Sequence, residues 1–378
     1  MDANTVQPQP PWSDLRDDLL GAIANRLNSP TDILYFRGVC PTWRNAVPKP
    51  NNSSVPNSLK FPFPIGPNPA LNPKRRGYFT LIESTVYCIQ PLRKSSDTRR
   101  KNPKSWLVKI EDSDKVGKVR FKDPLCQFEF QNLSVHLPKV LNLLDYKVFE
   151  VSKVYNLHFV GSGKNPEMEF NELKSTRIKK VAVSSKNDPF VVMTLHTGGK
   201  LGIWKMTDKK WNNIDDGRER SHYDDFAYHK GKFYAVDFKG HVISVDPSLK
   251  ITEYFDPDFL YAFDSGSDSE FSGVDHDYPF YFQVYKLNDE ENRWGFVESL
   301  GDRAIFLGDD CNFSVSARDF PGCKSNCIYF TDDSFSEGDD DHPGYDTGLY
   351  DLKNHCAKPL SAAVGYSELF WPPPTWLK

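Results

Sequence analysis

A chain of 378 residues, 39% of them hydrophobic, is too long for one small domain and rich enough in apolar side chains for a sizeable core. An aromatic content of 14%, with 28 Pro and 23 Gly, favours short strands and turns over long helices. The net charge of −4 conceals a polarity: residues 74–186 hold 23 Lys/Arg against 12 Asp/Glu, and residues 256–346 hold 5 against 22. That pattern argues for a polarised surface and against a general nucleic-acid binder.

The start, MDANTVQPQPPW, lacks the basic residues and apolar run of a secretory signal. No stretch nears the ~20 apolar residues of a membrane span. Seven cysteines show no paired framework. The expectation is a soluble protein of the reducing cytoplasm or nucleus, with free thiols.

In chain order, SDLRDDLLGAIANRLN predicts a helix capped at Ser13, with Asp14, Asp17 and Asp18 at the positive end of its dipole. Leu19, Leu20, Ile23 and Leu27 follow at helical spacing. The run from Ser29 to Asp32 ends this helix and opens a second, carrying Ile33, Phe36, Val39 and Cys40. Pro41 suits the first turn of a third, short helix holding Trp43 and Ala46. A unit of about forty residues buries little surface by itself. It is expected to complete its core on a partner helix pair; the other reading is a helical cap on the main domain.

The expected organisation is a helical domain over 11–48, a Pro/Asn-rich spacer over 49–76 and a β domain over 77–378. Lys74-Arg75-Arg76 at the end of the spacer reads as a solvated turn rather than an import signal. Beyond it, YFTLIEST, SWLVKIED, KVRFKDP, YKVFEVSKVYNLHFVG, KKVAVSS, PFVVMTLHT, KLGIWKMT, KFYAVDF and HVISVD read as strands. Turn residues at Gly198-Gly199, Lys239-Gly240 and Asp246-Pro247 separate several of them. GIWKMTDKKWNNI, VISVDPSLKITEYF, VYKLNDEENRWGFV and LYDLKNHCAKPL form a faint repeat. Its anchors are Trp204, Val245, Tyr285 and Tyr350, spaced 41, 40 and 65 residues apart, the last gap lengthened by an acidic insertion. Such a period is the mark of β-propeller blades, roughly six or seven over this length. Gly198-Gly199 followed by Trp211 is kelch-like. A pair of stacked β-sandwiches is the rival architecture. A propeller closes on itself, so the basic early blades are expected beside the acidic late ones.

Candidate chemistry is sparse. Cys323 and Cys327, with Cys311, Cys356, His342 and His355, lack zinc-site spacing and read as buried thiols. Residues 264–277 alternate acids but lack the glycine and closing glutamate of an EF-hand loop, and read as a solvated loop. Motifs for an activated serine, a metalloprotease, a P-loop or a dinucleotide site are missing. A glycosidase-type acid pair has no assignable members. His222, Asp224 and Asp225 read as a hydrogen-bonding set at a blade edge. No metal or cofactor is expected.

Leu15, Asp18, Leu19, Leu20, Asp32, Phe36, Arg37, Val39, Cys40, Trp43 and Arg44 together resemble an F-box, with Arg16 where that family has proline. YDDFAYHKGKFYAVDFKGHVISVD, GDRAIFLG, FSVSARDFPGCKSNCIYFTDD and WPPPTWL resemble plant F-box proteins whose C-terminal half is a kelch-like propeller. The resemblance implies a multidomain α+β chain: a three-helix F-box followed by a mainly-β propeller. It also implies a non-catalytic substrate receptor of a Skp–cullin–F-box ubiquitin ligase. The helices would bind a Skp-type adaptor, and through it cullin, by Leu15, Asp18, Leu19, Leu20, Ile23, Leu27, Phe36, Arg37, Val39, Cys40 and Trp43. The propeller would bind a target protein. Neither nucleic acid nor membrane is an expected partner. A ubiquitin-independent binding module and a propeller enzyme are the alternatives.

Overall fold

Prolines open the second and third helices. In a computed structural model the described residues are 12–27, 30–48, 59–62, 77–92, 105–112, 119–130, 145–161, 178–185, 188–196, 198–218, 221–254, 281–288, 293–332, 335, 344–363 and 369–370. A 3-10 turn at Trp12–Asp14 leads into α1 (Asp17–Ala24), then α2 (Pro30–Gly38) and α3 (Pro41–Ala46). Pro41 sits in the first turn of α3, where its missing N–H leaves no bond unmade. Ser13 does not cap α1: its hydroxyl donates to Asp14, and Arg16 occupies the cap position with no side-chain cap bond. The 3-10 turn takes up the residues the periodicity assigned to the helix start. Leu20, Ala24, Phe36 and Val47 form the small core of this unit.

The first sheet contains β1 (Lys60–Phe61), β2 (Gly77–Pro91), β3 (Trp106–Asp112), β4 (Val119–Lys122), β5 (Tyr146–Gly161), β6 (Ile178–Val183), β7 (Val191–His196), β8 (Leu201–Lys205) and β9 (Asn212–Asn213). Its order is β4-β3-β2-β5-β6-β7-β8-β9, with β1 on β2. β2 and β5 pair from Gly77↔Gly161 to Pro91↔Tyr146, with a bulge between Val86 and Tyr87. A second sheet runs β10 (Tyr223–His229), β11 (Lys232–Asp237), β12 (Val242–Val245) and β13 (Ile251–Tyr254) in sequence order. β14 (Tyr285–Asn288) and β15 (Arg293–Phe296) form a two-stranded sheet. The last contains β16 (Arg303–Leu307), β17 (Asn312–Ser316), β18 (Cys327–Thr331), β19 (Thr347–Asp351) and β20 (Cys356–Pro359), in the order β17-β16-β18-β19-β20. β17 folds back on one edge of β16, so the chain returns as β18 parallel to β16 on the other.

The four repeat segments are equivalent pieces of structure. Each forms a hairpin, β8–β9, β12–β13, β14–β15 and β19–β20, and three of these close the outer end of their sheet. Gly198 and Gly199, at φ 92° and 68°, turn the chain between β7 and β8 as their sequence suggests.

Two apolar clusters join the first sheet to the second and to the last. One cluster joins β7 and β8 (Val191, Met193, Leu201, Ile203) to β10, β11 and β12 (Phe226, Phe233, Ile243). Another joins β2, β3 and β5 (Val86, Leu107, Val154) to the last sheet and C-terminal residues (Phe306, Tyr329, Leu349, Phe370). Polar contacts seal the same seam. Trp106 Nε1 donates to the Phe370 carbonyl at 2.9 Å, and Asp123 accepts the Gly344 N–H at 2.8 Å. Lys109, fully buried, places Nζ 2.9 and 3.0 Å from the Asp310 carboxylate, to which Gln127 also donates. A Cβ on Gly308 would collide with the backbone of Leu125, so only glycine lets the strand end approach this closely. Lys109 comes from the basic stretch and Asp310 from the acidic one, so the two meet at this pair.

Candidate functional site

α1 is apolar on two sides. Leu20 and Ala24, one turn apart, are buried; Leu19 and Ile23, also one turn apart, are 48% and 37% exposed. Val39, just past α2, is 55% exposed. A helix that only capped a domain would need one apolar stripe. The second faces solvent, as a surface meant for a partner does.

The sequence-predicted adaptor residues separate by role. Leu20 and Phe36 lie inside the unit's own core, with Leu15, Leu27 and Trp43 packed against them. Phe36 and Trp43 pack with ring centres 4.4 Å apart and planes tilted by 35°. Arg37 donates to the carbonyls of Arg44, at 2.7 Å, and Val47, tying off the end of α3. Asp18 bonds to Arg16, Nε to Oδ1 at 2.9 Å, and the Arg16 guanidinium holds its carboxyl below the ordinary value. Cys40 is half-buried ahead of α3. Leu19, Ile23 and Val39 are the members that present apolar surface. The sequence reading omitted Trp12, 61% exposed, whose carbonyl accepts the Trp43 indole N–H at 2.9 Å. A tryptophan just after a run of prolines was the available signal.

α2 also meets the first sheet. Tyr35 donates its hydroxyl to the Tyr146 carbonyl and accepts the Val148 N–H, both at 3.0 Å. Those two groups belong to the N-terminal half of β5. β2 takes one edge of that half, and the described β6 pairing reaches β5 only at Tyr155. The phenol therefore fills a gap on an open strand edge.

A second candidate site lies where β5, β6, β10 and the turn at 310–312 converge around a cavity of about 590 Å³. Lys153 pairs with Glu83, and Lys180 with Asp225, which also accepts the Asn312 amide at 2.5 Å. Asp310 is matched by Lys109. Asp188 differs: Oδ2 accepts the hydroxyls of Ser185 and Tyr228, and no lysine or arginine pairs with it among the described residues. Those hydroxyls hold its carboxyl below the ordinary range.

The other sequence candidates disperse. Asp225 pairs with Lys180, which lines the cavity, whereas His222 Nδ1 lies 3.5 Å from Asp224 Oδ1 with both side chains substantially exposed. Burial pushes the thiols of Cys88, Cys323 and Cys327 up to about 12, so they are protonated packing groups. No group of three or more His, Cys, Asp or Glu among the described residues is placed to hold a metal. His342 and the stretch 264–277 lie outside the described residues. No helix among the described residues is long and apolar enough to cross a membrane.

The pattern of the KIB1-4 β-propeller family matches residues 78–351. Over 97% of this chain, F-box protein SKIP23 of Arabidopsis thaliana is 30% identical, with 95% of that protein covered. The chain belongs to the plant F-box proteins with a KIB1-4 β-propeller. F-box protein At2g17036 of the same plant is 28% identical over 97% of this chain and 94% of its own length. F-box protein At4g35733 is 28% identical over 85% and 89%. For this F-box chain, the propeller match decides against two stacked β-sandwiches, and the apolar seams that join the first sheet to the second and to the last fit it.

Proposed function

We propose that this F-box protein is the substrate receptor of a Skp–cullin–F-box ubiquitin ligase. Residues 11–48 bind a Skp-type adaptor, residues 49–76 are the spacer, and the propeller from 77 onward holds a target protein. One observation carries the first part: a three-helix unit with its own small core leaves Leu19 and Ile23 in solvent on one side of α1. Leu19, Ile23 and Val39 are already about half-buried, so covering the rest of each contributes about 1 kcal/mol before ordering costs, a favourable share of docking. Leu20, Phe36 and Trp43 act indirectly, by shaping the unit. The role is non-catalytic; the chain holds target and ligase together, and proximity accelerates transfer. The recurring outer hairpins support a kelch-like ring of six or seven blades.

The test is binding of a purified Skp-type adaptor to the full chain and to Leu19→Asp and Ile23→Asp. Each substitution is expected to weaken binding by a factor of ten or more, because it brings an unpaired carboxylate into the interface. Leu20→Asp unfolds the helical unit and does not discriminate. A folded wild type that fails to bind overturns the reading. The exposed Arg16–Asp18 pair at the start of α1 favours the second reading, a propeller that binds its partner without the ligase.

A further inference from the structure

Resting on the reading of the propeller as a target-binding domain, the chemistry of its cavity narrows what the target presents. The fixed charges around it are Lys153, Lys180 and Asp310 with their partners Glu83, Asp225 and Lys109, each cation matched to one carboxylate. Asp188 stands outside these pairs. Both hydroxyls that reach it bond to Oδ2, and Oδ1 has no hydrogen-bond partner among the described residues. A carboxylate offers about four acceptor positions, so this one keeps acceptor capacity for a ligand. Among the described residues these charges leave one carboxylate in excess, and Asp188 is partly exposed.

The walls fit the same chemistry. Tyr155, Phe190 and Tyr228 line the space, half-buried, beside the small apolar side chains of Ala182 and Val183. Aromatic faces attract a cation, and an aliphatic stem packs on apolar wall while its charged end reaches a carboxylate. The volume, about 590 Å³, lies within the range of ligand sites. An acidic side chain would meet Asp188 with no unpaired cation among the described lining residues to offset it.

We infer that the cavity receives a basic side chain, arginine above lysine, from the protein bound to the propeller, with Asp188 as its counter-ion. Arginine is favoured because its planar guanidinium can stack on a tyrosine while bonding to a carboxylate.

The experiment titrates the full chain with blocked amino acids, followed by ligand-observed NMR. The probes are N-acetyl-arginine amide, N-acetyl-lysine amide, the uncharged isostere N-acetyl-citrulline amide, and spermidine as a free polyamine. The arginine probe is expected to bind about fivefold more tightly than citrulline, the scale of a partly exposed charge pair. Asp188→Asn should erase that difference; it keeps the shape and still accepts from Ser185 and Tyr228. Asp188→Glu should restore part of it, which separates charge from folding. Equal binding of arginine and citrulline, or an arginine preference that survives in Asp188→Asn, overturns the proposal. Spermidine binding more than tenfold tighter than blocked arginine also overturns it, by assigning the site to a free polyamine. Leu19→Asp must bind the arginine probe like wild type, so failure of the adaptor reading and failure of this one give different results.

Discussion

His196 shows how one buried side chain ties stability to pH. It ends β7 with Nε2 2.9 Å from Thr194 Oγ1, and its Nδ1 has no partner among the described residues. Burial pushes the imidazole from 6.5 down to about 4. The unfolded chain therefore takes up the proton first as pH falls. The stability contributed by the neutral ring is complete above about 6.5 and is lost between there and about 4. His196→Gln should flatten this part of the profile. Urea unfolding at pH 7.0, 5.5 and 4.5 checks it, the wild type losing more of its midpoint than the variant; these are about the flanks and centre of the titration. Parallel losses would show that other groups set the acid sensitivity. Nothing in the sequence marked His196, because its burial depends on β8 and on Trp211 packing beside Gly202.

Among elements, the contact between α2 and β5 makes a specific prediction. Tyr35→Phe removes one donor and one acceptor, leaving the Val148 N–H and Tyr146 carbonyl on an open edge. Amide hydrogen exchange at Val148 should quicken by about tenfold or more, the scale of a lost hydrogen bond near 1 kcal/mol plus edge fraying. Exchange in β12, remote from this contact, should not change. Unaltered protection at Val148 would mean that the edge is held by packing alone. The helices themselves were legible: prolines, apolar spacing and early acids place α1 to α3 within a few residues. So were the four hairpins, since each carries its own turn. What could not be read was which side of α1 faces inward. Leu19 and Leu20 are chemically identical, and only the position of Phe36 and Val47 decides that Leu20 is core. The pairing of β2 with β5 along their whole length was equally hidden, because the strands lie more than fifty residues apart in sequence and pairing leaves no local trace.

Across the whole molecule, closure depends on contacts between its two sequence extremes. Lys109 and Asp310 sit at that seam with almost no solvent access. Removing one partner strands the other charge, so Lys109→Met should destabilise the protein by about 3–5 kcal/mol. Lys109→Met with Asp310→Leu should recover most of the loss, because the pair is then replaced by apolar volume. Chemical denaturation of the wild type, the single and the double variant measures both. A double variant no better than the single would assign the loss to packing rather than to the stranded carboxylate. The charge polarity of the sequence foretold that basic early strands and acidic late ones would meet; it did not foretell which residues. Lys109 looks like any outward lysine in a strand, and only the turn at 309–311 brings a carboxylate to it.

The bond from Trp106 to Phe370 also sets an order of events during synthesis. α1 to α3 emerge first, contact one another locally and can fold while translation continues. The apolar face of β2 and β3 has to wait for a cover made from residues 304 to 370. Contacts so distant in sequence form slowly, and the waiting face is open to aggregation in the meantime. If the proposed function holds, a nascent chain can engage an adaptor well before it can grip a target. On the proposed reading, the receptor is assembled from its ligase end towards its target end, and a chain stalled before Phe370 would occupy the adaptor without delivering anything to it.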